Sequence, residues 1–183
     1  MKNLFITLFI FLTLTITQAF AYNVSEFSSD ATIQSALRML EQNGEYDVFS
    51  NLKKNAVKIK FYSLAGYGSN VYATNSYDST GRRVILINSV YKNAPIEQIA
   101  CLIAHESCHT ARKATLDEET RATQKEAAVW TKLKISSATY PETKLTKRLD
   151  KLAGLYAASS DGNDYIHDKI ATSSFYKSQL GMN

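Results

Sequence analysis

The sequence predicts an α+β fold: a small, mostly antiparallel sheet packed on one buried helix, with further helices towards the C-terminus. Three observations predict it. Residues 56–64 alternate Val57, Ile59 and Phe61 with Lys58, Lys60 and Tyr62, the period of a half-buried strand. Two more strand-like runs, 71–77 and 82–88, flank Asp78-Ser79-Thr80-Gly81, a hairpin turn signal. Between this sheet and the C-terminal half, Ile96, Ile99, Ala100, Leu102, Ile103 and Ala104 form an apolar helical run behind Pro95, a residue suited to a helix start.

In chain order, Met1-Lys2-Asn3 is a short basic opening. Residues 4–16 are almost wholly apolar or Thr, and Gln18-Ala19-Phe20-Ala21 closes the stretch. A basic start, an apolar middle and an Ala-x-Ala end describe a secretory signal peptide, with cleavage expected after Ala21. The run is short for a spanning helix, with an uncleaved anchor as the alternative, and no later stretch is long and apolar enough to span. The expected product is one domain over 22–183, secreted or periplasmic. Ser29-Asp30 offers an N-cap for a helix carrying Ile33, Ala36, Leu37 and Leu40 and ending near Asn43-Gly44. A second short helix over 46–54 follows, with Val48, Phe49 and Leu52 apolar. Beyond the sheet and the apolar helix comes an acidic helix over 117–133. Pro141 is expected to open another, with Leu145, Leu149, Leu152 and Tyr156 inside and Lys144, Lys147, Arg148 and Lys151 outside. A last helix is expected over 165–180, anchored by Ile166, Ile170 and Phe175.

The chemistry concentrates at His105-Glu106-Ser107-Cys108-His109. Two histidines four apart on a helix share one face, so both imidazoles reach a single Zn²⁺ at about 2.0–2.1 Å. Glu106 falls beside the pair, placed to take a proton from the metal's water. That arrangement belongs to a zinc hydrolase.

Residues 84–133 resemble the core of a zincin metallopeptidase of the gluzincin type: a strand, a His-Glu-x-x-His helix, then a helix that supplies a glutamate. The resemblance spans about fifty residues and rests on few positions. It implies His105 and His109 as zinc ligands, Glu106 as the catalytic base, a third ligand from the next helix, and a peptide or protein substrate. It also implies a sheet edge beside the cleft, where an extended peptide pairs main chain to main chain; which strand forms that edge is open. The metzincin variant needs a Gly and a third His just past the motif, and Thr110-Ala111-Arg112-Lys113-Ala114-Thr115 supplies neither.

The third ligand follows from periodicity. On the acidic helix Ala122, Val129 and Leu133 mark the buried face, and Glu119 and Glu126 share that stripe. A carboxylate facing the core needs a partner or a metal. Glu119, nearest the turn from His109, is the expected ligand, with Glu118 the alternative. Glu126 is expected to orient a ligand imidazole. His167, the one other histidine, is expected on the surface, with a role in stabilising an oxyanion as the alternative.

Cys101 and Cys108 lie seven apart on one helix, about 10.5 Å by helical rise, too far for a disulfide. They are expected to be buried and inert, with an intermolecular bridge as the alternative. The net charge of +4 is too weak to argue for nucleic acid, and no basic groove runs among the tyrosines. Two rivals stand beside an exported zinc peptidase. One is a non-catalytic exported zinc-binding or interaction module on the same fold. The other is a metal-free protein that binds a partner through residues 145–156.

Overall fold

The computed structural model describes residues 22–67, 71–135, 139–159 and 164–182. The expected signal segment, 1–21, lies outside them, as does most of the loop expected over 159–164. Within the described residues the fold is α+β, with seven α-helices and one three-stranded sheet. The helices are α1 (Ala31–Gln42), α2 (Tyr46–Lys54), α3 (Ile96–Ser107), α4 (Leu116–Leu133), α5 (Lys144–Ala158), α6 (Asp164–Thr172) and α7 (Ser174–Leu180). The strands are β1 (Lys58–Tyr62), β2 (Ala73–Tyr77) and β3 (Arg83–Asn88). No helix among the described residues is long and apolar enough to cross a membrane.

The sheet order is β1-β3-β2, with β1 parallel and β2 antiparallel to β3. It is therefore a mixed sheet rather than a mostly antiparallel one. The reason is topological: the chain from β1 passes β3's place, forms β2 at the far edge and returns by the hairpin. Asp78 closes that hairpin, its Oδ1 accepting from the Thr80 and Arg82 N–H groups at 2.9 Å, and Gly81 takes the left-handed φ of +79° the turn requires. The central strand β3 is buried from Arg83 to Ile87, as a strand covered on both faces must be. Ile85 and Ile87 face the main core, while Val84 and Leu86 pack with Leu64 in a smaller cluster.

The helix α3 forms the centre. Every residue from Gln98 to Ser107 is buried, so it is a core helix rather than an amphipathic surface helix. Around it lie α1, α2, α4 and β3, whose Leu37, Phe49, Trp130 and Ile85 are fully buried. Side chains cap the flanking helices as their sequences suggest. Asp30 accepts from the Thr32 N–H at 2.9 Å, and Thr115 from the Glu118 N–H at 3.2 Å.

Three expected boundaries move. The helix after Pro141 begins at Lys144, because the Thr143 hydroxyl caps it by accepting from the Thr146 N–H at 3.1 Å. The last helix divides at Ser173, whose extended backbone separates α6 from α7 in a run of weak helix formers. The metal-motif helix ends at Ser107, so His109 lies just past it. Cys108 keeps helical angles, and the His109 N–H still donates to the Glu106 carbonyl at 3.3 Å. A tightened last turn thus keeps the two imidazoles adjacent.

Outside the core, Glu45 ties the α1–α2 turn to α4, accepting from Lys125 Nζ at 2.6 Å and Lys132 Nζ at 2.8 Å. Burial acts to raise its carboxyl, but the two ammonium groups outweigh it and hold Glu45 below its usual 4.5. Its contribution is present above pH 4.5 and is lost as pH falls through the lowered native value. Glu45→Gln is therefore expected to lower the urea midpoint at pH 7 and to match wild type in strong acid. A difference that persists undiminished in acid would assign the effect to packing. Ile103→Ala, at the centre of α3, is expected to destabilise the protein by about 2–5 kcal/mol in the same assay.

Candidate metal centre

Three elements build the site. The last turn of α3 carries His105 and Glu106, the turn after it carries His109, and the first turn of α4 carries Glu118 and Glu119. The crossing of α3 with α4 brings His105, His109 and Glu119 together, with one potential ligand atom from each within 4.8 Å of the others. His105 Nε2 and His109 Nε2 lie 3.3 Å apart. Glu119 Oε2 is 3.7 Å from His105 Nε2, and Glu119 Oε1 is 3.7 Å from His109 Nε2. All three residues are buried.

These distances fit a cation. Donors bound at 2.0–2.1 Å around a tetrahedral ion lie about 3.3–3.4 Å apart, close to the spacing found. The outer nitrogens give the same indication. His105 Nδ1 is 3.0 Å from Glu126 Oε2, and His109 Nδ1 is 3.8 Å from Glu118 Oε2. A carboxylate beside each Nδ1 favours the proton there, which leaves both Nε2 lone pairs aimed at one point. Two such lone pairs repel at this distance unless a proton or a cation lies between them. Burial, with the neighbouring His105 adding to it, holds His109 down at about 4, so it is neutral and able to ligate at pH 7.

Glu106 stands beside this cluster and is held from the sheet. Its carboxylate accepts from Asn75 Nδ2 of β2. Its backbone carbonyl accepts from Arg83 Nη2 of β3 at 2.7 Å and from Asn75 Nδ2 at 3.1 Å. Arg83 Nε in turn donates to Asn75 Oδ1 at 2.6 Å. Two sheet residues thereby add to the His109 N–H on the carbonyl at the end of α3 and fix the rotamer of the Glu106 carboxylate. Burial pushes the Glu106 carboxyl up to about 7, against the pull of His105 and Arg83 and with the push of Glu119 and Glu126. A base near neutrality is suited to taking a proton and giving it back.

Glu126 is fully buried behind His105 and forms an ion pair with Arg148 of α5. Burial alone would raise its carboxyl; the Arg148 charge and His105 overcome that and bring it down to about 2. Arg148, expected on the outer face of α5, is instead turned inward. It pairs with Glu126, covers the Tyr72 ring at 5.3 Å and hydrogen-bonds Tyr176 of α7. The buried carboxylate is the reason: an unpaired charge at that depth is far costlier than a buried guanidinium with three partners.

Of the other residues singled out in the sequence, some keep their expected places and others do not. Glu118, the alternative ligand, is buried, its Oε1 accepting from the Thr110 N–H at 2.6 Å and the Thr110 hydroxyl at 3.2 Å. It clamps the chain leaving the motif onto α4 and stands behind His109. His167 pairs with Asp168 at 3.5 Å, its side chain 44% exposed, and does not join the cluster. The central β3, the strand nearest the metal helix in sequence, is no edge; β2 is the edge along the cleft. Leu145, Leu149 and Leu152 are buried in the protein's own core, so that face of α5 offers no partner surface. Both cysteines are free; Cys101 is fully buried and Cys108 half-buried. Burial pushes the Cys108 thiol up to about 11, which keeps it protonated and unreactive at neutral pH.

Asn75, Arg83, Arg148 and Tyr176 were not legible as site residues. The available signals were weak: Asn75 is a poor strand former at mid-strand, and Arg83 opens an otherwise apolar run. The cluster opens into a cleft of about 550 Å³ walled by β2, α5 and α7. No protein-family model, curated protein or solved structure matches this chain.

The buried pair sets a testable cost. Arg148→Met leaves Glu126 without its main partner and is expected to lower stability by about 3–5 kcal/mol in metal-free protein. Arg148→Met combined with Glu126→Gln is expected to recover most of that loss. A single variant as stable as wild type would show that Glu126 is not charged in the folded state.

Proposed function

We propose that this protein is an exported zinc-dependent metallopeptidase of the zincin type, hydrolysing peptide bonds with Glu106 as the base. The observation that carries the reading is the pair of imidazole nitrogens 3.3 Å apart, closed by Glu119 and flanked by Glu106. His105, His109 and Glu119 would hold the ion, a neutral–neutral–anionic donor set that suits Zn²⁺. When bound, zinc polarises the scissile carbonyl and makes an attacking water more acidic. Glu106 takes that water's proton and returns it to the leaving nitrogen, so proton transfer needs no outside carrier. Asn75 and Arg83 keep the carboxylate aimed during both transfers. Glu126, anchored by Arg148, holds the His105 ring.

The rival reading, a non-catalytic zinc-binding module, needs a closed site, because structural zinc is held by four protein ligands. Among the described residues no fourth histidine, cysteine or carboxylate joins the three, and the cluster faces the cleft. That supports an open, catalytic position. Export is motivated by residues 1–21, and one contact accords with cleavage after Ala21. The Tyr22 N–H donates to the Glu41 carboxylate, so a chain beginning at Tyr22 would set its α-ammonium against that charge.

The test is metal content and peptide hydrolysis, measured side by side in protein expressed from Tyr22. Wild type is expected to hold about one zinc per chain, and Glu119→Ala to lose most of it. Glu106→Gln should keep its zinc while hydrolysis falls by about 10²–10⁴-fold. Hydrolysis by Glu106→Gln at the wild-type rate would end the proposed mechanism. A zinc-free wild type after reconstitution would end the metal reading altogether.

A further inference from the structure

Two guanidinium groups line the cleft, and they differ in how their charge is met. Arg148 is committed inside, to Glu126 and Tyr176. Arg112, three residues beyond His109, has no ion pair among the described residues. Its guanidinium lies over the Tyr77 ring, 4.8 Å from the centroid. A cation–π contact of this kind holds the group in place without neutralising it. Arg112 is thus a positioned positive charge in the cleft that no carboxylate among the described residues meets.

Its location is set by the edge strand. On β2, Asn75 reaches Glu106, and Tyr77 stands two residues further along the same strand face, about 6–7 Å away. An extended peptide aligned with that edge has the same spacing. A residue about two positions from the bond beside Glu106 then comes level with Tyr77 and Arg112. Apart from Arg148, already paired with Glu126, the other charged side chains of the cleft wall, Glu106 and Glu119, are acidic. Arg112 reverses that sign locally. Its planar fork can take a carboxylate through two parallel N–H···O bonds.

The geometry points to Arg112 as a specificity-determining residue that selects substrates with an Asp or Glu side chain about two residues from the scissile bond. This inference rests on the peptidase reading above, and the experiment separates the two. Zinc-loaded protein is offered two pools of otherwise random fluorogenic peptides, one with Asp and Glu as its only charged residues and the other with Lys and Arg. Wild type is expected to cleave the acidic pool roughly 3- to 10-fold faster in kcat/KM. Arg112→Glu is expected to reverse the order and Arg112→Gln to abolish it. Binding of both pools to zinc-loaded Glu106→Gln is read in parallel by fluorescence anisotropy. Equal cleavage of both pools, or an unchanged order in Arg112→Glu, overturns the assignment and leaves the peptidase reading standing. Preferential binding of the acidic pool with no cleavage by wild type keeps Arg112 as a recognition residue and overturns the peptidase reading. Neither binding nor cleavage overturns both.

Discussion

Behind the site a carboxylate with no exposed surface is held between an imidazole and a guanidinium, and much of the C-terminal half is arranged around it. Glu126 belongs to α4, His105 to α3 and Arg148 to α5, so one buried charge joins three helices at a defined rotation. If any of the three turned about its axis, the charge would lose a partner at a depth where water cannot replace it. The same contact extends outward, since Arg148 also packs on Tyr72 next to β2 and reaches Tyr176 on α7. The walls of the cleft and the orientation of one imidazole therefore share a single electrostatic anchor.

The opposite side of the site is held by a different device. Where α3 ends, its last carbonyls look beyond the helix for donors, and the sheet supplies two of them. Arg83 and Asn75 meet the Glu106 carbonyl while Asn75 also meets its carboxylate, so ending the helix and aiming the acidic side chain are one arrangement. The depth of the cluster follows from α3 being apolar all round. A helix buried on every side can expose polar groups only at its ends, and the cleft lies at the C-terminal end.

Much of this was legible in the chain. Ile33, Ala36, Leu37 and Leu40 marked α1 because a surface helix buries one stripe, and Asp30 marked its start because its side chain caps open N–H groups. The buried stripe of α4 placed Glu119 and Glu126 inward with Ala122, Val129 and Leu133, as 3.6-residue periodicity requires. What periodicity cannot report is a partner from another element. Arg148 read as one member of a basic face because its neighbours Lys144, Lys147 and Lys151 are exposed. Only the carboxylate opposite it turns it inward. Glu118 read as the alternative ligand, and its commitment to Thr110, eight residues away across a turn, exists only in the fold.

Local sequence, then, determined which segments coil or extend, which faces are apolar, and that two imidazoles with an adjacent carboxylate share one helix end. These properties depend on residues within a few positions of one another, where spacing fixes geometry. Tertiary structure alone decided the parallel pairing of β1 with β3, the choice of β2 as the cleft edge, and the gathering of Asn75, Arg83 and Arg148 around the motif. Those contacts join residues separated by many positions, and their strength comes from burial and charge pairing that exist only after the helices and the sheet have packed.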